Sequence, residues 1–346
     1  MHIAMMTAWN TDSGVAVHAE PLGRAWREQG HEVTVFSHIK SDFHGEGFTG
    51  EDEDYVTRCF GTQKTDFLDP RPILRSNFDV LVVQDLRMLP VESLSKVFPV
   101  IKHRARTIHV VHENTLPEEP WFYQFDWDGV VYFDERQGFL NDVYPHAKLI
   151  PFPCYGTRQG EKTEARKRLN LPLDKRIVYV FCHRSYEPFL RDLQEDLKEE
   201  AVLLYVIPPG YQMVEKEEPP PWMIIREEKI LTKERFDDYL FASDCLVLHK
   251  FESSYLGVVS STAFQALGAG CPIFVPKRSD YFRPLQDELL HYSDVSELNK
   301  MLLQFFRDEE MRKIVLDAAN GFVERNSPEV IARLFIDFFV ELGRPR

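Results

Sequence analysis

Apolar and polar residues alternate in the first forty positions in an order that predicts a strand, a helix and a second strand. Residues 2–8 are an apolar run, residues 10–14 a polar turn, residues 15–29 an amphipathic stretch and residues 33–36 a second apolar run. Gly30 lies just after the amphipathic stretch, where glycine commonly ends a helix. A helix between two short buried strands indicates a parallel βαβ unit.

The same alternation continues in two series and predicts an α/β protein with two parallel sheets. The remaining strands are predicted at residues 80–84, 107–112, 129–133 and 148–151, and then at 177–182, 202–207, 222–226, 245–249, 273–276 and 290–292. Helices are predicted between them and again at residues 309–325 and 329–342, the last with Ser327 as N-cap and Pro328 in its first turn. Residues 45–69 are polar and acidic, and we interpret them as an irregular insertion or edge element.

The two series are separated by residues 151–160, which read PFPCYGTRQG. Clustered proline, glycine and polar residues are typical of a domain boundary. A chain of 346 residues also fits two domains of about 100–200 residues each better than one.

The net charge of −14 disfavours a nucleic-acid partner, because the surface as a whole repels polyanions. One basic and apolar stretch, KVFPVIKHRAR at residues 96–106, has the composition of a helix that touches anionic lipid. A surface helix that leads into a strand has the same composition, and Pro99 is expected to interrupt it. We favour that second interpretation and keep weak peripheral membrane contact as an alternative.

Five cysteines occur without a Cys-x-x-Cys pair, which disfavours both a disulfide framework and a structural zinc site. The first residues turn polar too soon for a signal peptide, and no run of about 18 apolar residues is present to span a bilayer. We therefore expect a cytoplasmic protein with no structural zinc site.

Residues 241–276 carry the most informative chemistry. An apolar strand runs into a polar loop with Lys250 and Glu252, and Ser260 and Ser261 then open a helix that ends in glycines. A strand, a loop and a helix N-terminus form the arrangement in which parallel α/β sheets bind phosphate. Serines before an apolar helix are equally typical of simple capping, and on this segment alone capping is the better interpretation.

Three separated segments resemble GT-B glycosyltransferases, most closely the retaining family 4. Residues 242–273, ASDCLVLHKFESSYLGVVSSTAFQALGAGCPI, are similar to the nucleotide-sugar motif of that family, and residues 13–38, SGVAVHAEPLGRAWREQGHEVTVFSH, to its first βαβ unit. Residues 295–342 match the family's C-terminal helices in style. The resemblance covers nearly the whole chain in the expected order.

This resemblance implies a GT-B fold, in which two Rossmann-like domains with parallel sheets face each other across a cleft. It implies an acceptor-side domain at residues 1–154, a nucleotide-sugar domain at residues 155–326 and a C-terminal helix at residues 327–346 that packs back on the first domain. No metal or cofactor is implied, because helix termini and basic side chains meet the diphosphate charge.

The resemblance also assigns roles to individual residues. Gly14 lies in the first glycine-bearing loop, His112 beside the transferred sugar, and Arg184 at the donor diphosphate, with Lys250 as a further cation. The donor contacts implied along the nucleotide-sugar motif are at Gly257, Val258, Val259, Ser260, Ser261 and Gln265. On residue type alone, Gly14 fits a plain turn and His112 fits a strand-end histidine equally well.

The chain departs from the family pattern at three positions. The lysine expected five residues after Arg184 is Phe189, for which Arg191 or Lys250 are the possible substitutes. In the family's Glu-x7-Glu motif, Gln265 replaces the glutamate that holds the ribose and Gly257 replaces the other. Glu252 is the nearest candidate for that missing carboxylate, and a glutamine still bonds ribose hydroxyls.

The predicted activity is transfer of a hexosyl unit from a nucleoside-diphosphate sugar to an acceptor hydroxyl, with retention of configuration at the anomeric carbon. UDP or GDP is the expected nucleotide of the donor. The acceptor is expected to be a sugar, a lipid-linked molecule or another small molecule. The alternatives are a nucleotide-sugar-binding protein or partner subunit that has lost catalysis, and, less favoured, a sugar-nucleotide epimerase.

Overall fold

The structure is a computed structural model that describes residues 1–43, 47–61, 66–112, 123–181, 194–207, 219–250 and 257–343. The chain divides into two compact units. The first unit comprises Met1–Pro153, Ser254–Ser261 and Asn326–Arg346, and the second comprises Cys154–Ser253 and Thr262–Arg325.

All of the strands predicted from the sequence are present, with ends within two residues of the predicted ones. In chain order the strands are β1 (His2–Met6), β2 (Glu32–His38), β3 (Val56–Gly61), β4 (Phe67–Leu68), β5 (Val80–Gln84), β6 (Arg106–Val110), β7 (Gly129–Tyr132), β8 (Ala147–Leu149), β9 (Arg176–Phe181), β10 (Ala201–Ile207), β11 (Met223–Glu227), β12 (Cys245–Val247), β13 (Ile273–Pro276) and β14 (Leu290–Tyr292). The helices are α1 (Gly14–Glu28), α2 (Arg71–Arg75), α3 (Val91–Arg104), α4 (Leu140–Val143), α5 (Lys162–Arg168), α6 (Glu195–Glu200), α7 (Lys233–Ala242), α8 (Ser261–Ala266), α9 (Val295–Arg307), α10 (Glu309–Arg325) and α11 (Pro328–Glu341).

The sheet of the first unit has the order β4-β3-β2-β1-β5-β6-β7-β8. Its neighbouring strands pair in parallel, except that β4 runs antiparallel to β3. The central strands are buried along their whole apolar length, since Ile3–Met6 and Leu81–Val83 have no exposed surface. A parallel sheet covered on both faces requires such uninterrupted apolar runs, which is why these strands are readable from the sequence.

Residues 45–69 hold more regular structure than the sequence indicated. Within them β3 extends the sheet beyond β2 in parallel, and β4 closes the edge. The prediction of an edge element is confirmed, but the prediction of irregular structure is wrong for β3 and β4. β3 was missed because its outer half is only half-buried, so its residues carry a weak apolar signal.

The sheet of the second unit has the order β11-β10-β9-β12-β13-β14, and all of its pairs are parallel. Asp244 marks the start of β12 and is almost fully buried. Its carboxylate accepts from Arg166 Nη2 at 2.9 Å, from Lys162 Nζ at 2.9 Å and from the Ile177 amide at 2.8 Å. These bonds join α5 to the first residues of two neighbouring strands, at the amino end of the sheet.

Helix α3 contains the basic stretch that the sequence singled out, and it continues through Pro99. The expected interruption is therefore wrong. The helix loses one backbone donor there, but Leu94, Phe98 and Ile101 pack into the core and compensate for it.

The cations of this stretch have partners inside the first unit. Lys102 pairs with Asp126 at 2.7 Å, Lys96 pairs with Glu92 at 2.9 Å, and Arg104 donates to the carbonyl of Leu74 at 2.7 Å. These contacts favour the surface-helix interpretation over a lipid-binding one. Among the described residues, no helix is both long and apolar enough to cross a membrane.

The last helix, α11, belongs to the first unit and packs on α1. Ser327 caps it by accepting from the Val330 amide, with Pro328 as the first helical residue, as predicted. Trp26 is fully buried in this contact and donates from Nε1 to the Ala332 carbonyl at 3.1 Å. Its ring lies 5.8 Å from the rings of both Phe335 and Phe339. The return of the chain to its first unit is thus held by an aromatic cluster.

We predict that Trp26→Ala destabilises the protein by about 3–5 kcal/mol, because it removes a large buried ring and leaves a cavity. Trp26→Phe should cost less, about 1–3 kcal/mol, because the ring contacts remain and mainly the hydrogen bond to Ala332 is lost. Urea denaturation measures both free energies. The control is Val340→Ala on the exposed side of α11, which is expected to change stability by no more than about 0.5 kcal/mol. Equal effects of the three substitutions would contradict this account of the contact.

Candidate functional site

The loop between β1 and α1 brings the backbone of Gly14 close to the nucleotide-sugar motif. Ser13 caps α1, and its hydroxyl accepts from the Ala16 amide at 3.2 Å. A β-carbon added at Gly14 would lie 2.9 Å from Ser261 Oγ, which is closer than real β-carbons approach such atoms. Gly14 and Ser261 both belong to the first unit, so the fold brings these two predicted site residues together.

The segment from Gly257 to Ser261 lies with the first unit rather than with the rest of its motif. Gly257 is buried and has φ = 76°, a conformation that glycine adopts without strain. A β-carbon there would lie 2.5 Å from Cγ of Gln137. The position therefore has no room for the glutamate that the resembling family carries at this point of its motif.

Gln137 is a residue that the sequence analysis missed. It follows β7 in a short 3₁₀ turn, is 1 % exposed, and its Oε1 has no hydrogen-bond partner among the described residues. The buried Oγ of Ser260 likewise has no partner in that part of the chain. Val258 and Val259 are half-buried. The one available signal for Gln137 was its place after a strand, at the carboxyl edge of the sheet.

Helix α8 ends at Ala266, two residues before the glycines at which the sequence predicted its end. It spans six residues, continues as a 3₁₀ turn over Leu267–Ala269, and ends at Gly270 with φ = 68°. Gln265 lies in this helix and is held through its main chain, whose carbonyl accepts from Arg158 Nη2 at 2.7 Å. Arg158 is itself fixed by an ion pair with Asp237 at 2.6 Å. Arg158 is thus a second residue that sequence reasoning missed.

His112 follows β6 and shares a hydrogen-bond acceptor with His18. Oε1 of Gln84 lies 3.1 Å from Nε2 of His112 and 2.8 Å from Nδ1 of His18. Burial lowers the pKa of His18 to about 3, and burial together with the neighbouring His18 and His109 lowers the pKa of His112 well below 6.5. Both imidazoles are therefore uncharged at neutral pH.

Lys250 and His249 follow β12 in the second unit. The Lys250 ammonium lies 5.6 Å from the centroid of the Tyr281 ring, within reach of a cation–π contact. His249 Nδ1 lies 2.5 Å from the Tyr292 hydroxyl, with the two rings stacked, and burial lowers the pKa of His249 to about 4. Arg184 and Glu252, the other two residues predicted for catalysis, lie outside the described residues.

The acidic segment at residues 51–54 acquires a role that was not readable from the sequence. Glu53 accepts from Trp9 Nε1 at 2.9 Å and from the side-chain amide of Asn10 at 3.1 Å. Asn10 itself has φ = 51°, and its backbone amide donates to Oε1 of Glu20 at 2.8 Å. Arg24 bridges the two carboxylates, at 3.2 Å from Glu20 and 3.0 Å from Glu53. This network anchors the loop that carries Gly14.

Comparison with known proteins gives the class of fold. No family model matches the chain. Sucrose-phosphate synthase from Thermosynechococcus elongatus aligns over 99 % of this chain and 99 % of its own, at 14 % identity and a TM-score of 0.67. Anabaena HepE in complex with UDP-glucose aligns over 99 % and 100 %, at 11 % identity and a TM-score of 0.68. WaaG, a glycosyltransferase involved in lipopolysaccharide biosynthesis, aligns over 97 % and 99 %, at 9 % identity and a TM-score of 0.60.

These structures are GT-B glycosyltransferases, and the chain shares their fold over its whole length. The GT-B fold predicted from the sequence is thereby confirmed. At such low identities the likeness shows the fold alone. Membership of the retaining family 4, like the roles of the site residues, stays a prediction.

We predict opposite effects for two substitutions in the network that anchors the first loop. Burial raises the pKa of Glu20 to about 6, so the folded protein loses stability as pH rises from about 4.5 through 6. Glu20→Gln should therefore stabilise the protein above pH 6.5, by up to about 2 kcal/mol, and the gain should vanish below pH 4.5.

Glu53 provides the matched comparison. Burial would raise its pKa, but hydrogen bonds from Trp9, Arg24 and Asn10 outweigh burial and hold it at about 2. Its contribution to stability is present above about pH 4.5 and is lost as pH falls towards 2, so Glu53→Gln should destabilise the protein at pH 7 by roughly 1–3 kcal/mol. Urea denaturation between pH 4 and 8 measures both effects. The same sign for both variants at pH 7 would refute this description.

Proposed function

We propose that this protein transfers a hexosyl unit from a nucleoside-diphosphate sugar, with UDP or GDP as the nucleotide, to an acceptor hydroxyl with retention and without a metal ion. The observation that carries the proposal is the full-length likeness to glycosyltransferases of GT-B fold, among them HepE in complexes with UDP-glucose and with UDP and glucose. A sugar or sugar-bearing acceptor accords with the last of these complexes. The contact between Gly14 and Ser261 supports a donor site at this place.

In this proposal the chemistry of the step is mainly electrostatic. Bond cleavage at the anomeric carbon leaves charge on the diphosphate, and Arg184, Lys250 and backbone N–H groups near Ser260 would stabilise it. Close backbone approach is what such N–H groups need, and the lack of a side chain at Gly14, next to Ser261, permits it. The uncharged His112 would lie beside the transferred sugar as a hydrogen-bonding group.

A binding protein without turnover is the second candidate, and one observation favours it. The side chain of Gln137 fills the space beside Gly257, so the first carboxylate of the family motif is absent at this position. Gln265 replaces the second. Glu252 is the residue that would restore a carboxylate, and its contribution decides between the two candidates.

The first experiment separates the two candidates. Thermal shift with UDP, GDP and ADP, followed by nucleotide release from their sugars with an acceptor panel, tests binding and turnover in sequence. UDP or GDP should raise the melting temperature, and the matching sugar should be turned over equally well with and without EDTA. Stabilisation without product would support the binding protein. The absence of both stabilisation and product would contradict the proposed donor site. Glu252→Gln should lower turnover more than binding if this residue supplies the missing carboxylate.

A double-mutant cycle tests where the donor binds. We predict that Gly14→Ala weakens nucleotide-sugar binding about tenfold, because its methyl group would meet Ser261 Oγ at 2.9 Å and push the two segments apart. Ser261→Ala removes that oxygen and should restore part of the affinity in the double variant. Gly156→Ala is the control, since a β-carbon there meets nothing within 4 Å. An unchanged affinity of Gly14→Ala would place the donor elsewhere, and additive effects of the two substitutions would contradict the clash between them.

A further inference from the structure

His18, Gln84 and His112 form a hydrogen-bonded group in which both histidines bond to the same side chain. His18 and Gln84 have no exposed surface, and they come from α1 and from the end of β5. Both rings approach one oxygen, so each imidazole presents an N–H to a single carbonyl group. The remaining polar atoms, Nε2 of His18 and Nε2 of Gln84, are buried without a partner among the described residues. A buried carbonyl without a hydrogen bond costs free energy, so Oε1 of Gln84 accepts from both rings.

The shared acceptor fixes the proton positions. A neutral imidazole has one N–H, and a bond to Gln84 Oε1 requires that N–H at Nδ1 in His18 and at Nε2 in His112. The two histidines are therefore opposite tautomers. Protonation of either ring would place a charge beside the other, since their centroids are 5.1 Å apart with the planes nearly perpendicular.

The aromatic surroundings hold both rings in place. Phe133 lies 4.9 Å from His18 and 4.9 Å from His112, and Phe152 lies 5.1 Å from His18, all measured between ring centroids. Burial is the largest cause of the lowered pKa of His112, and among the described residues His18 and His109 further disfavour a positive charge. Burial in these aromatic surroundings, next to two other histidines, thus keeps His112 neutral.

We propose that Gln84 and His18 are positioning residues that hold the His112 imidazole uncharged, in one orientation, with its ring proton on Nε2. The purpose of this arrangement rests on the proposed function. A cation beside the sugar would oppose the positive charge that develops at the anomeric carbon, whereas a neutral imidazole of fixed tautomer does not.

The tautomers are testable without substrate. Two-bond ¹H–¹⁵N correlation spectra of protein containing ¹⁵N-labelled histidine show which of the two ring nitrogens carries the proton. Single histidine substitutions assign the signals. We expect His112 to stay neutral with its proton on Nε2 between pH 5.5 and 8.5, and His18 to carry its proton on Nδ1. Titration of His112 near its ordinary pKa, or a proton on its Nδ1, would overturn the proposal. Because no turnover is measured, this result stands whether or not the transferase proposal holds.

Activity separates positioning from a merely structural role. Gln84→Glu keeps an acceptor but adds a carboxylate that stabilises an imidazolium, so kcat should fall about tenfold at pH 6 and recover towards pH 8.5. Gln84→Leu removes the acceptor and should lower kcat at every pH, with the donor KM changed by less than about threefold. Asn299→Asp is the control, because it buries the same new carboxylate on α9 in the second unit. Identical, pH-independent losses for the two Gln84 variants would show that the residue acts only through stability.

Discussion

The packing of α1 fixes the positions of the candidate residues in the first unit. One side of the helix presses Trp26 into the aromatic residues of α11, while His18 enters the space at the end of β5. Its glutamate and arginine, Glu20 and Arg24, hold the loop before it. Rotation or sliding of this helix would break its buried contacts. Gly14, its first residue, is thereby held against Ser261.

This constraint explains why the charged groups that hold the first loop matter for stability. Glu20 and Glu53 are both partly buried and share Arg24, yet burial raises the pKa of one while hydrogen bonds lower the pKa of the other. The network therefore contributes to stability differently at each pH. Through Glu53, the network connects the acidic segment at residues 51–54 to the loop that carries Gly14.

The departures of this chain from the family pattern also have physical causes. At Gly257 the side chain of Gln137 takes the space of a glutamate, and the backbone adopts a left-handed conformation that favours glycine. The substitution is thus accommodated by the surrounding structure rather than being an isolated loss. Gln265, in contrast, lies in a helix held through its main chain by Arg158, where its side chain remains partly exposed.

The sequence by itself determined most of the elements and the class of fold, although it missed β3 and β4. Buried parallel strands such as Val80–Gln84 and Ile273–Pro276 read as apolar runs because both faces of the sheet are covered, and their ends were predicted correctly. The glycine and serine positions of the motif were predicted from its resemblance to the family. The tertiary structure alone decided which residues meet: Gln84 with His18 and His112, and Gln137 with Gly257. Contacts between residues far apart in the chain depend on the order of strands in the sheet, which residue types and spacing do not encode directly.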